Sequence, residues 1–166
     1  MTDDFFDWSD RPVQERVIAR TMLEHAGFKV STFKSCEDDP PDCEGTLDGN
    51  RSAVEVTRLN HEKTRAQSMK ARREGKPEVY FYWERDDLLL KLQILIDKKE
   101  LDVKRYSGGP YVRYVLVLHT DEMVLTKATV EKHLEGATFH SRLFTDVVLG
   151  LSYETGGYPA FRLQLT

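Results

Sequence analysis

The chain has only two cysteines, Cys36 and Cys43, in 166 residues. Two thiols at that spacing are too few for a disulfide framework and match no zinc-ligand pattern. No apolar run is long enough to cross a bilayer. The acidic start Met1-Thr2-Asp3-Asp4 is followed by no apolar stretch of the kind a secretory leader needs. A positive net charge is also missing: 24 Lys and Arg against 28 Asp and Glu leave −4. Such a balance does not advertise a nucleic-acid binder, although it leaves room for a local basic patch. There is no glycine loop with a lysine to cradle phosphate. Gly150-Leu151-Ser152-Tyr153-Glu154 lacks the second glycine of a nucleophile elbow. Repeats and low-complexity tracts are absent. These absences predict a reduced, soluble, cytoplasmic protein with no membrane partner.

What is present argues for a folded chain. Apolar residues make up 40% and aromatic residues 10%, enough for one domain with its own core. Residues 1–9 read as an acidic, aromatic arm. A helix is expected over 11–26, with Asp10 as cap, Pro12 in the first turn and Gly27 at the exit. Its inward stripe is Ile18, Ala19, Met22, Leu23 and Ala26, and Glu15 falls on the edge of that stripe. Residues 28–33 read as a first strand. Residues 60–76 carry Lys63, Arg65, Lys70, Arg72, Arg73 and Lys76, with only Ala66 and Met69 as inward candidates, so a weakly packed helix or a loop is expected. Residues 79–83 are short and aromatic; Tyr80, Tyr82 and Trp83 could stack on bases, although clustered aromatics more often build a core. A helix over 84–105 carries Leu88, Leu89, Leu92, Leu95, Ile96 and Val103 on one stripe. Residues 114–118 are continuously apolar, as in a strand buried on both faces. His119, Asp121 and Glu122 follow; they could suggest a metal site, but their spacing matches no ligand pattern and a polar strand end is the better reading. A short helix over 127–135 capped by Thr126 and a closing hairpin over 147–165 complete an α/β layout with one mixed sheet.

Within that layout, residues 40–57 read as a hairpin about Asp48-Gly49-Asn50. Side chains alternate along strands. A two-residue turn therefore puts Asp42, Glu44, Thr46, Glu55 and Thr57 on one face and Cys43, Leu47, Val54 and Val56 on the other. Carboxylates crowded on one face repel unless a cation lies between them.

The order helix, three strands, helix, strand, with Pro41-Asp42 and then Glu55-Val56-Thr57, resembles the PD-(D/E)XK nuclease superfamily over residues 11–119. Residues 120–166 would extend its αβββαβ, restriction-endonuclease-like core by a helix and a hairpin. The resemblance implies that Asp42 and Glu55 bind Mg²⁺ or Mn²⁺, that the Val56 carbonyl is a further ligand, and that Glu15 completes the site. It implies catalysis by Asp42, Glu55, Thr57 and Glu15, with Thr57 standing where the family has lysine. Threonine can hydrogen-bond a water but brings no positive charge; Lys63, Gln67, Lys98 and Lys99 are candidates to replace it. Glu44 is a reserve ligand or a solvent-facing strand residue.

The first functional expectation is thus a Mg²⁺-dependent endonuclease hydrolysing DNA, with RNA as the other nucleic acid to test. Lys63, Arg65, Lys70, Arg72 and Arg73 would contact phosphates. The second is a catalytically inactive relative acting as a nucleic-acid-binding or protein-interaction module. A homodimer or scaffold held by the aromatic N-terminus is the third.

Overall fold

The computed structural model describes residues 11–38, 40–77, 82–102, 106, 109–152 and 158–166, except the side chains of residues 11, 62–65 and 68. The expected arm and the helix cap Asp10 lie outside these residues, as do Tyr80 and Val103. The elements are α1 (Arg11–His25), β1 (Val30–Ser35), β2 (Cys43–Leu47), β3 (Asn50–Arg58), α2 (Glu62–Glu74), α3 (Arg85–Asp102), β4 (Arg113–Thr120), α4 (Lys127–Leu134), β5 (Asp146–Leu151) and β6 (Ala160–Arg162). Six strands form one open mixed sheet in sequence order, β1 to β6. The β1–β2–β3 meander is antiparallel. Strands β3, β4 and β5 run parallel, and β6 returns antiparallel. The α/β class and the mixed sheet are as the sequence predicts. None of the described helices is long and apolar enough to cross a membrane.

Alternation along β4 sorts the two cores. Val115 and Val117 pack with Ala19, Met22 and Leu23 of α1, whereas Leu116 and Leu118 pack with Leu88, Leu92 and Ile96 of α3. Each of those fully buried α3 side chains contributes about 1.5–3 kcal/mol over an exposed one. Thr126 caps α4 as predicted, its hydroxyl accepting from the Thr129 N–H at 3.2 Å.

Two local expectations are corrected. The first strand starts at Val30, not at residue 28. Gly27 has φ 92°, its N–H donates to Glu24 O, and Phe28 N–H donates to Leu23 O. This is a Schellman closure of α1, so Phe28 terminates the helix and packs under it. Residues 62–74 form helix α2, ended by Gly75 at φ 66°, and α2 makes a second helix between β3 and β4. Among its described side chains Ala71 is buried, while of the predicted inward pair Ala66 is exposed and Met69 half-buried.

The hairpin has the two-residue turn that the parity argument needs. Leu47 pairs with Asn50, and Asp48 and Gly49 between them have φ 50° and 80°, the pair of positive values a type I′ turn requires. Gly45 lies tightly against β1: a Cβ there would run into the Thr32 carbonyl and the Phe33 ring. Gly45→Ala is expected to cost about 1–3 kcal/mol by overpacking, read as a lower urea midpoint. An unchanged midpoint would mean that β1 and β2 do not meet as described.

Candidate metal and phosphodiester site

Strand β2 pairs with β3 only as far as Cys43 opposite Val54. The next positions of the same register set Asp42 against Glu55 and Pro41 against Val56. Pro41 has no N–H to give a ladder. The Val56 N–H is taken instead by the Asp42 side chain, whose Oδ2 accepts it at 2.8 Å. Asp42 is held from the other side as well, its carbonyl accepting from Cys36 N–H at 2.9 Å. The start of β2 thus fixes Asp42 by both backbone and carboxylate, and the extended register sets it on the same side as Glu55.

Glu55 lies opposite Leu116 in register and opens toward α3. It is 1% exposed. Its Oε2 accepts from Lys99 Nζ of α3 at 3.1 Å. Its Oε1 is buried with no hydrogen-bond partner among the described residues. Burial first, and then the charge of Asp42, push the Glu55 carboxyl up to about 8, against the pull of Lys99. A carboxyl whose folded pKa stands above its ordinary 4.5 favours the protonated fold. That contribution is fully present below about pH 4.5 and is lost as pH rises through about 8. Metal-free protein should therefore lose stability between pH 5 and pH 9 in urea denaturation, and Glu55→Gln should flatten that slope. A wild-type slope equal to that of Glu55→Gln would contradict the crowding of the two carboxylates.

Three tyrosines cluster nearby, and Tyr106 among them feels the charges of Glu55 and Asp42. Tyr106 and Tyr114 have ring centroids 5.1 Å apart, and Tyr111 stands 6.0 Å from Tyr114. The Tyr106 hydroxyl is buried without a hydrogen-bond partner among the described residues. Its pKa is raised by burial and then by the charges of Glu55 and Asp42. Sequence reasoning missed this cluster, because a Gly-Gly-Pro break separates Tyr106 from the strand.

The other sequence-predicted residues fall as follows. Thr57 follows on β3, half-buried, opposite Leu118. The Val56 side chain belongs to the core under α1. Glu15 is buried on α1, 8% exposed, and its charge, like that of Asp42, raises the Cys43 thiol, which burial raises most. Cys36 is also pushed up, to about 11, chiefly by burial, so both thiols stay protonated at neutral pH and offer no thiolate nucleophile. Among the described residues no three His, Cys, Asp or Glu side chains gather as a ready metal cage; Asp42 and Glu55 form a pair. Glu44 is held by Lys34 Nζ at 2.9 Å and the Tyr111 hydroxyl at 2.9 Å, which commits the reserve ligand to other partners.

Of the four candidates to replace the missing lysine, Lys99 reaches Glu55. Lys98 and Gln67 are exposed, and the Lys63 side chain lies outside the described residues, as does that of Arg65. Lys70, Arg72 and Arg73 are exposed on α2. Beyond β4, Arg58 binds Asp121 through both carboxylate oxygens at 2.7 and 2.8 Å. Glu122 turns inward, 6% exposed, and His119 is 2% exposed, so this polar strand end is largely buried.

No protein family, curated protein or solved structure matches this chain.

Proposed function

We propose that the protein is a metal-dependent endonuclease acting on DNA, with Asp42 and Glu55 as its metal-holding pair. The observation that carries the reading is the buried Glu55 carboxylate, one oxygen on Lys99 and the other without a partner among the described residues, set in register against Asp42. Two acidic groups crowded in a desolvated site call for a positive charge between them. Hard oxygen donors suit Mg²⁺ or Mn²⁺. The element order and the placement of Asp42 and Glu55 support a restriction-endonuclease-like core, with α2 as an addition between β3 and β4.

When bound, the metal would supply a nucleophilic hydroxide and offset charge on the phosphate. The chain's own part is positioning and charge. Asp42 is locked by the Val56 N–H, so it meets the cation without reorganising. The Val56 carbonyl and, through water, Glu15 are further proposed ligands. Lys99 brings to Glu55 the positive charge that Thr57 cannot provide, and it does so from α3 instead of β3. Thr57 would orient a water. Lys70, Arg72 and Arg73, with Lys63 and Arg65 on the same helix, would hold flanking phosphates.

The Lys99 contact fits this reading, because it sets an ammonium group against one of the two proposed metal-holding carboxylates. Chelator-treated protein should cut DNA only after Mg²⁺ or Mn²⁺ is restored. DNA binding in chelator with no cleavage in either metal would support the inactive module instead.

A further inference from the structure

A cavity of about 310 Å³ opens where the end of β3 meets α3, away from Asp42 and Glu55. One carboxylate builds its aromatic wall. Glu122 Oε2 accepts from Trp83 Nε1 at 2.6 Å and Oε1 accepts from the His61 N–H at 3.0 Å. The His61 ring meets the indole nearly edge-on, with centroids 4.5 Å apart. Trp83 is recessed, yet Leu90 and Ile94, which also line the cavity, are 61% and 46% exposed, and the neighbouring Tyr82 is 80% exposed. Asn60, Asp87 and Lys91 add polar groups. Exposed apolar side chains grouped beside a recessed aromatic wall mark a binding surface.

We propose that this cavity takes one unpaired, amino-bearing nucleobase, adenine best, from the strand whose phosphate lies at Asp42 and Glu55. The proposal rests on the phosphodiester reading above. Its size is at the low end for small-molecule sites, about 300 Å³ and upward, and suits a single base rather than a duplex edge or a peptide helix. Every base has a face that stacks on aromatic rings. The amide of Asn60 can pair with adenine N6 and N7, and the Asp87 carboxylate accepts from an exocyclic amine that thymine lacks. Placement ties the cavity to the site. Asn60 lies beyond Glu55 by about 17 Å of extended chain. Lys91 precedes Lys99 by about 12 Å along α3. A single strand laid along α3 passes Lys99 and reaches the cavity a few nucleotides on.

The chain has two tryptophans, Trp8 and Trp83, so Trp8→Phe leaves Trp83 as the reporter. In chelator, its fluorescence is titrated with a five-nucleotide single strand carrying adenine, thymine or an abasic sugar at the centre. Anisotropy of labelled strands is read in parallel. The adenine strand should quench Trp83 and bind about ten- to a hundredfold more tightly than the abasic one, with thymine between. Leu90→Glu, at an exposed position that folding tolerates, should bring the adenine strand to the abasic level. Equal affinities with Trp83 unmoved would overturn the cavity proposal and leave the nuclease reading standing. Quenching by adenosine monophosphate in a protein that never cleaves would support the cavity and count against the nuclease reading. Failure of every strand and of the mononucleotide to bind would overturn the proposal.

Discussion

Glu55→Gln should fold as well as the wild type and cleave DNA at least about a thousandfold more slowly. The two halves of that expectation come from the same geometry. Burial and Asp42 already favour the neutral form of Glu55. Glutamine copies that neutral form in shape and can still accept from Lys99, so the packing of β3 against α3 is kept. It cannot supply the negative charge that holds a divalent cation, and losing metal stabilisation of several kcal/mol is a loss of three or more decades in rate. Asp42→Ala should be as inactive but less stable, because the Val56 N–H loses its acceptor at the end of the hairpin. Metal-dependent cleavage surviving in both variants would place the chemistry elsewhere on the molecule.

Lys99→Met should lower cleavage by about two to three decades while DNA binding in chelator stays near wild type. The side chain is 23% exposed and its partner is 1% exposed, so the pair is screened far less than a surface ion pair. With the ammonium gone, the Glu55 carboxyl has only burial and Asp42 acting on it, and both raise its pKa. The pH–rate profile of Lys99→Met should therefore move to higher pH, since Glu55 must ionise to hold the metal. Lys99→Arg keeps the charge and should recover part of the rate without the shift. If Lys99→Met lost stability but kept rate and pH profile, Lys99 would be a structural partner of Glu55 and the lysine role would lie elsewhere.

The hairpin was legible because its determinants are local. Asp48-Gly49 accepts two positive φ values, the turn length fixes strand parity, and parity puts Asp42 and Glu55 on one face. The alternating Val115-Leu116-Val117-Leu118 run was legible for a similar reason: neither face carries a polar residue, so both must be covered. Lys99 could not be singled out. It is 44 residues from Glu55, and its neighbour Lys98 has the same chemistry; only the docking of Leu92 and Ile96 against the sheet turns Lys99 inward. Glu44 was left open between reserve ligand and strand residue; of its partners, Lys34 lies directly across on β1 and Tyr111 comes from the segment before β4. Helix α2 was hard to read because its apolar content is slight, and Glu122 because its partners Trp83 and the His61 N–H come from the segments on either side of α2.

The central claim is that Asp42 and Glu55 together hold a divalent cation. Titrating Mn²⁺ into chelator-treated wild type, Asp42→Ala and Glu55→Gln, with free Mn²⁺ followed by its paramagnetic resonance signal, tests it without reference to activity. Saturable uptake by the wild type and loss of that uptake in both variants is the result expected. Equal uptake by all three proteins, or none by the wild type, would contradict it.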